Sequence, residues 1–203
     1  MSIVENDLTK YDFIIAIDRS ASMGDVHKST SRWEAAEEST IGLARQVEKF
    51  DDDGIDVVLF NDRVKYLSGV KSSDVSRIFQ ETSPMGGTDT TGLVLEVAKR
   101  YFERKAKGNA KPVICQVITD GRPENESTLQ QAIIDISRKL DRDEELSFQF
   151  IQYGNDKRAT DFLKNLDDNL VSKGAKFDIV DTITADELGD MTIVDLLLKA
   201  VND

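Results

Sequence analysis

The sequence predicts a doubly wound α/β fold. It is an open, mostly parallel six-stranded sheet with one antiparallel edge strand and helices on both faces, in a three-layer Rossmann-like arrangement. Two observations predict it. Short runs of almost unbroken apolar residues recur at 13–17, 55–60, 113–118, 146–151 and 177–180, as expected of strands covered on both faces. Between most of them lie longer stretches in which apolar residues recur at the helical period. A further run, 64–67, begins too soon after the second for a crossover helix to intervene, and reads as its antiparallel hairpin partner at the sheet edge.

Taken in order, the first run, Phe13-Ile14-Ile15-Ala16-Ile17, is a central strand. The helix over 31–50 places Trp33, Ala36, Thr40, Leu43, Ala44 and Val47 on one stripe, and Ser31 with Glu34 forms a capping box at its start. The hairpin follows, then two helices, then the strand at 113–118. Leu129, Ala132, Ile133, Ile136 and Leu140 make the stripe of the next helix, with Ser127 and Gln130 as its capping pair. Two more strands follow, with a helix between them. A closing helix over about 192–201 has Thr192 and Asp195 at its start. The order is strand, helix, two strands, two helices, then strand and helix three times over. No repeat, low-complexity tract or Pro/Gly-rich linker divides the chain, so residues 1–203 read as one domain with a core from about 10 to 202.

Composition excludes several function classes. The 203 residues carry a net charge of −12, which opposes nucleic-acid binding through general electrostatics. The lone Cys115 excludes an internal disulfide and a cysteine-based zinc site, and His27 is the only histidine. The opening MSIVENDLTKYD has no basic region followed by an apolar core, so it does not read as a secretory signal. No apolar run approaches the ~20 residues of a membrane span. The expectation is an acidic, soluble, cytoplasmic protein. Asp51-Asp52-Asp53-Gly54 fails as an EF-hand loop, because Lys49 and Phe60 would stand at its first and twelfth positions. Lys99, Arg100, Arg104, Lys105, Lys107 and Lys111 form a basic cluster. It reads as the exposed end of a helix, where cations complement the dipole, and alternatively as a docking patch.

In such a sheet the ligand crevice lies at the carboxyl ends of the strands where strand order reverses. The loops there carry unusual chemistry. Asp18-Arg19-Ser20-Ala21-Ser22 follows the first strand and Thr119-Asp120-Gly121 the fourth, while Gly86-Gly87-Thr88-Asp89-Thr90 precedes a long helix. They offer carboxylates and hydroxyls with no thiolate or imidazole, a donor set for hard cations such as Mg²⁺, Mn²⁺ or Ca²⁺. Few carboxylates leave such a cation ready to accept an anionic oxygen from outside.

An Asp-x-Ser-x-Ser loop, a distant Gly-Gly-Thr-x-Thr and a later Thr-Asp-Gly resemble the von Willebrand factor A domain family and its metal-ion-dependent adhesion site. The resemblance covers essentially the whole element order, including the antiparallel edge strand and the closing helix. It implies that Ser20, Ser22 and Thr88 ligate a divalent cation by hydroxyl, and that Asp18 and Asp120 do so directly or through water. A partner protein's Asp or Glu would fill the sixth position. It also implies a non-enzymatic, stand-alone intracellular protein-binding module of the kind found in stress-response clusters and chaperone-like assemblies, with metal loops and last helix moving on capture.

At the variable positions, Arg19 either steers an acidic partner or pairs with a nearby acid. Asp89 either adds negative potential or caps the following helix. Asp25 and Arg122 border the site. The rival reading is a Mg²⁺-dependent hydrolase of the haloacid dehalogenase type with Asp18 as nucleophile, but that chemistry wants an acid where Ser20 stands.

Overall fold

The computed structural model describes residues 8–27, 30–49 and 53–184, together with 187, 191, 195, 196 and 199. Its central strand, β1 (Asp12–Asp18), alternates its side chains between two apolar layers. Ile14 and Ala16 face one core and Phe13, Ile15 and Ile17 the other. Both faces are therefore covered, which is why the run needs no polar alternation.

Beside β1 lie β4 (Ile55–Phe60) and β6 (Val113–Thr119), both parallel to it. The sheet order is β5-β4-β1-β6-β7-β8. Here β5 (Val64–Val70) is the antiparallel edge strand and β7 (Leu146–Gln152) and β8 (Val180–Ile183) continue the parallel set. Five parallel strands and one antiparallel edge strand match the predicted fold class.

One face is covered by α1 (Arg32–Val47) and α2 (Ser72–Gln80). The other is covered by α3 (Thr90–Ala106), α4 (Glu126–Ser137) and α5 (Lys157–Asn169). The capping box at Ser31 forms as its sequence predicts: Ser31 Oγ accepts from the Glu34 amide, and the Glu34 carboxylate accepts from the Ser31 amide.

The structure corrects two of the sequence expectations and adds one element that they lack. α4 is capped by Asn125, not Ser127. Asn125 has extended backbone and its side chain accepts from the Thr128 amide at 3.0 Å, which leaves Ser127 inside the first turn. The last strand begins at Val180, so Phe177 lies outside it. The Lys176 amide donates to Ser137 Oγ and its ammonium to the Leu140 carbonyl, and these bonds tie the segment to the end of α4. The stretch after β1 is not an open loop. A two-residue hairpin, β2 (Val26–His27) with β3 (Thr30–Ser31), leads into α1. Of the predicted closing helix, Asp195, Leu196 and Lys199 are helical, and Leu196 packs in the α1 and α2 core. Its start at Thr192, together with Asp51 and Asp52 of the acidic turn, lies outside the described residues.

The chain winds outward from β1 to β4 and β5, then crosses back to β6 and continues the other way. The reversal falls between β1 and β6. The carboxyl ends of these neighbours, Asp18 and Thr119-Asp120, therefore meet at one point. Among the described residues no helix is long and apolar enough to cross a membrane.

Candidate functional site

Asp18 is the last residue of β1 and lies level with Phe60 at the end of β4. Its side chain is fully buried. The Ser20 amide donates to Asp18 Oδ1 and Thr119 Oγ1 to Asp18 Oδ2, both at 2.7 Å. Beyond Asp18 the chain makes a 3₁₀ turn, Ala21–Gly24, held down by the fully buried Met23. This turn brings the two serines face to face, with Ser20 Oγ and Ser22 Oγ 3.2 Å apart. Ser22 Oγ in turn donates to Asp120 Oδ1 at 3.0 Å. Four of the five predicted site residues therefore form one hydrogen-bonded chain: Asp18, Ser20 (through its amide and hydroxyl), Ser22 and Asp120.

Thr88 joins them through its backbone. Its carbonyl accepts from the amides of Thr90 and Glu124, at 3.0 and 3.3 Å, which ties the second loop to the third. The Thr88 hydroxyl makes no hydrogen bond among the described residues. The first and second loops are stitched together by Ala21 N to Gly86 O at 3.2 Å and Met85 N to Arg19 O at 2.7 Å. Asn61, after β4, donates its side-chain amide to the Met85 carbonyl at 2.7 Å. The Gly-Gly pair is needed at this crossing. Gly86 has φ of +81°, and a Cβ on Gly87 would overlap the carboxylates of Asp62 and Glu124. Asp89 caps α3, with Oδ1 accepting from the Gly92 amide at 2.8 Å; capping is thus its role, as one sequence reading holds.

The electrostatics follow from burial. Desolvation pushes the Asp18 carboxyl up to about 6, against the lowering effect of its hydrogen bonds from Thr119 and Ser20. Burial raises Asp120 too, opposed by Ser22 and by the Arg32 guanidinium. Two buried carboxylates 102 positions apart in sequence thus share one cup with two hydroxyls, and burial makes the charged form of each more costly than in water. A hard cation relieves that penalty, and these are oxygen donors of the kind it takes, so the residues present fit one. Among the described residues there is no cluster of three or more His, Cys, Asp or Glu, so a cation here would rely on hydroxyls.

Sequence reading missed Arg32, and it named Thr119 within the Thr-Asp-Gly motif without giving it a role. Arg32, the first residue of α1, reaches into the cup and donates to Asp120 Oδ2 at 2.5 Å and to the Ser22 carbonyl at 2.9 Å. Thr119 sits one residue before Asp120 and looks from sequence like an ordinary strand end. Arg19 has no ion-pair partner among the described residues, and its Nε is buried without a hydrogen bond. Pairing with a nearby acid is therefore not what the structure places there. Arg122 pairs instead with Glu126, the first residue of α4. Asp25 is open to solvent, 3.8 Å from Arg32. Val26 and Met85, two of the most exposed large apolar residues, flank the cup at 72% and 57% exposure. The basic cluster along α3 is largely neutralised by Glu96, Asp12, Asp141 and Glu145. It is the ion-paired flank of a helix.

A model of the von Willebrand factor type A domain matches residues 13–123. Among solved structures, the chain is similar to a von Willebrand factor type A protein from Catenulispora acidiphila, at 17% identity and a TM-score of 0.62. That likeness covers 94% of this chain and 42% of the other, so the chain spans less than half of that structure. The VWA domain of SpRpn10 is similar over 93% of both chains, at 15% identity and a TM-score of 0.59. Manganese-loaded TRAP protein of Plasmodium vivax is similar over 96% of this chain and 74% of its own, at 13% identity and a TM-score of 0.61. At these identities the likeness is one of fold. No curated protein matches the chain.

Proposed function

The chain belongs to the von Willebrand factor type A domain family, and from that premise we propose that it is a divalent-cation-dependent protein-binding module. The observation that carries this reading is the hydrogen-bonded chain from Asp18 through the Ser20 amide, the Ser20 and Ser22 hydroxyls and Asp120, which runs from the buried Asp18 to the exposed Ser22 at the point where the sheet reverses. Asp18, Ser20, Ser22, Thr88 and Asp120 would hold the cation, Mg²⁺ or in its place Mn²⁺ or Ca²⁺. The cation, when bound, supplies a centre of positive charge that accepts an outside carboxylate.

The residues of the chain do the rest. Thr119 and the Ser20 amide fix the Asp18 carboxylate, so it cannot swing away. Met23 anchors the serine loop, and the backbone bonds from Ala21, Met85 and Glu124 keep the three loops in register. Such pre-organisation lowers the entropic cost of capturing a ligand. Val26 and Met85 give an approaching partner apolar area around a polar centre. The partner is a protein that presents an Asp or Glu, and the charge-assisted contact gives the specificity. Residues 1–203 act as one domain, a cytoplasmic adaptor in complex assembly or stress response, with no catalytic step of its own. Against the hydrolase reading, Ser20 occupies the place of the general acid.

Immobilised protein is expected to retain specific partners from a native lysate in Mg²⁺ and to release them on addition of a chelator. Asp18→Ala is expected to retain none of them. A set of partners held equally well in chelator would overturn the mechanism.

A further inference from the structure

Arg32 brings a positive charge into the same cup. Its Nη1 donates to Asp120 Oδ2 at 2.5 Å, in an ion pair whose carboxylate side chain is 3% exposed. The same nitrogen donates to the Ser22 carbonyl. Nε is buried without a hydrogen bond. The rest of the guanidinium packs over Gly154, in the loop after β7, where φ is +96° and a Cβ would stand 2.9 Å from Nε. Glycine there makes room for the arginine. Arg32 is thus seated by four segments: its own helix, the serine loop, the Asp120 loop and the β7 loop. Asp120 has both oxygens engaged, one by Ser22 and one by Arg32.

We infer that Arg32 is the resident counter-ion of Asp120 and competes with a divalent cation for it, thereby setting the cation affinity of the site. The inference rests on the cation-dependent reading above. Two positive centres drawn to one carboxylate repel each other, and inside a partly desolvated cup that repulsion is little screened. A cation must weaken or displace the Arg32 contact to reach Asp120. Arg32 is therefore a positioning residue in the cation-free protein and a determinant of affinity once cation is added.

Calorimetric titration of Mn²⁺ into the unaltered protein, Arg32→Gln and Arg32→Lys tests this. Gln keeps a hydrogen-bond donor and loses the charge; Lys keeps the charge and loses the fork. Arg32→Gln is expected to bind Mn²⁺ at least about tenfold more tightly than the unaltered protein, and Arg32→Lys within about threefold of it. A purely structural strut predicts weaker binding in both variants. In the unaltered protein, the Arg32 Nε–H resonance is expected to move in step with Mg²⁺ saturation, a readout that needs no variant to fold. Equal or weaker binding by Arg32→Gln, or an unmoved Arg32 resonance at saturation, overturns the inference and leaves the cation site standing. Absence of cation binding in all three proteins overturns the cation site and the inference with it.

Discussion

Replacing Asp18 by asparagine is expected to erase the gain in melting temperature that a divalent cation gives the unaltered protein. Cation that binds only the folded state stabilises it by mass action, about 2.7 kcal/mol at a hundredfold excess over Kd. For a chain of this size that is roughly 5–10 °C. The asparagine side chain would keep the shape of the original, its oxygen accepting from the Ser20 amide and its NH2 donating to Thr119 Oγ1, but carry no charge, and the gain is expected to fall below about 1 °C. The cation-free baseline is not expected to drop. A carboxyl whose folded value is raised to about 6 disfavours the folded state above that pH, because the buried group must ionise there. The neutral amide removes that penalty at neutral pH. Melts in chelator and in saturating Mg²⁺ at pH ~7.5, above the raised value of the carboxyl, check both halves. An undiminished gain in the variant contradicts the assignment of Asp18.

The largest loss of stability is expected from Phe60→Ala. Phe60 is fully buried at the end of β4, in the core shared with α3, α4 and α5. Truncating such an aromatic leaves a cavity and costs about 3–5 kcal/mol, which lowers the melting temperature by roughly 10 °C. The consequence reaches the site. Phe60 lies level with Asp18, and its carbonyl accepts the Arg19 amide at 2.8 Å, so it supports the floor of the serine loop. Denaturant unfolding gives the loss, and a cost below about 1 kcal/mol would show that the core under the site collapses to fill the hole.

Much of the fold was legible because its strands are covered on both faces. Runs such as Val57-Val58-Leu59-Phe60 are apolar throughout, and short apolar runs separated by helical stripes leave few alternatives. The edge strand was legible from its nearness to β4. Phe177 misled because an aromatic next to Ile179 and Val180 looks like strand. Its place was decided by bonds from Lys176 to Ser137 and Leu140, far earlier in the chain, which no local pattern carries. The hairpin β2–β3 has two-residue strands, too short for any period to register. Asn125 and Ser127 are both good caps, and only the backbone conformation chose between them.

At the site, the serine, threonine and aspartate pattern was visible because such residues rarely gather in three separate loops at one end of a sheet. The structure brings Asp18, Ser20, Ser22 and Asp120 together by hydrogen bonds, whereas Thr88 is tied in by its backbone. Arg32 was not visible. It stands one residue past a helix cap, where a basic residue carries no special signal, and its partner Asp120 lies 88 residues further on. The ion pairs of the basic cluster on α3 were hidden for the same reason, since Asp12 and Glu145 come from distant strands and loops.

The central claim is that these three loops hold a cation among oxygens. A crystal soaked in Mn²⁺ and measured for anomalous scattering tests it most directly. A single peak within bonding distance of the Ser20 and Ser22 hydroxyls, and bound to Asp18 and Asp120 directly or through water, is the predicted result. A map with no peak there, or with manganese only at surface carboxylates, contradicts it.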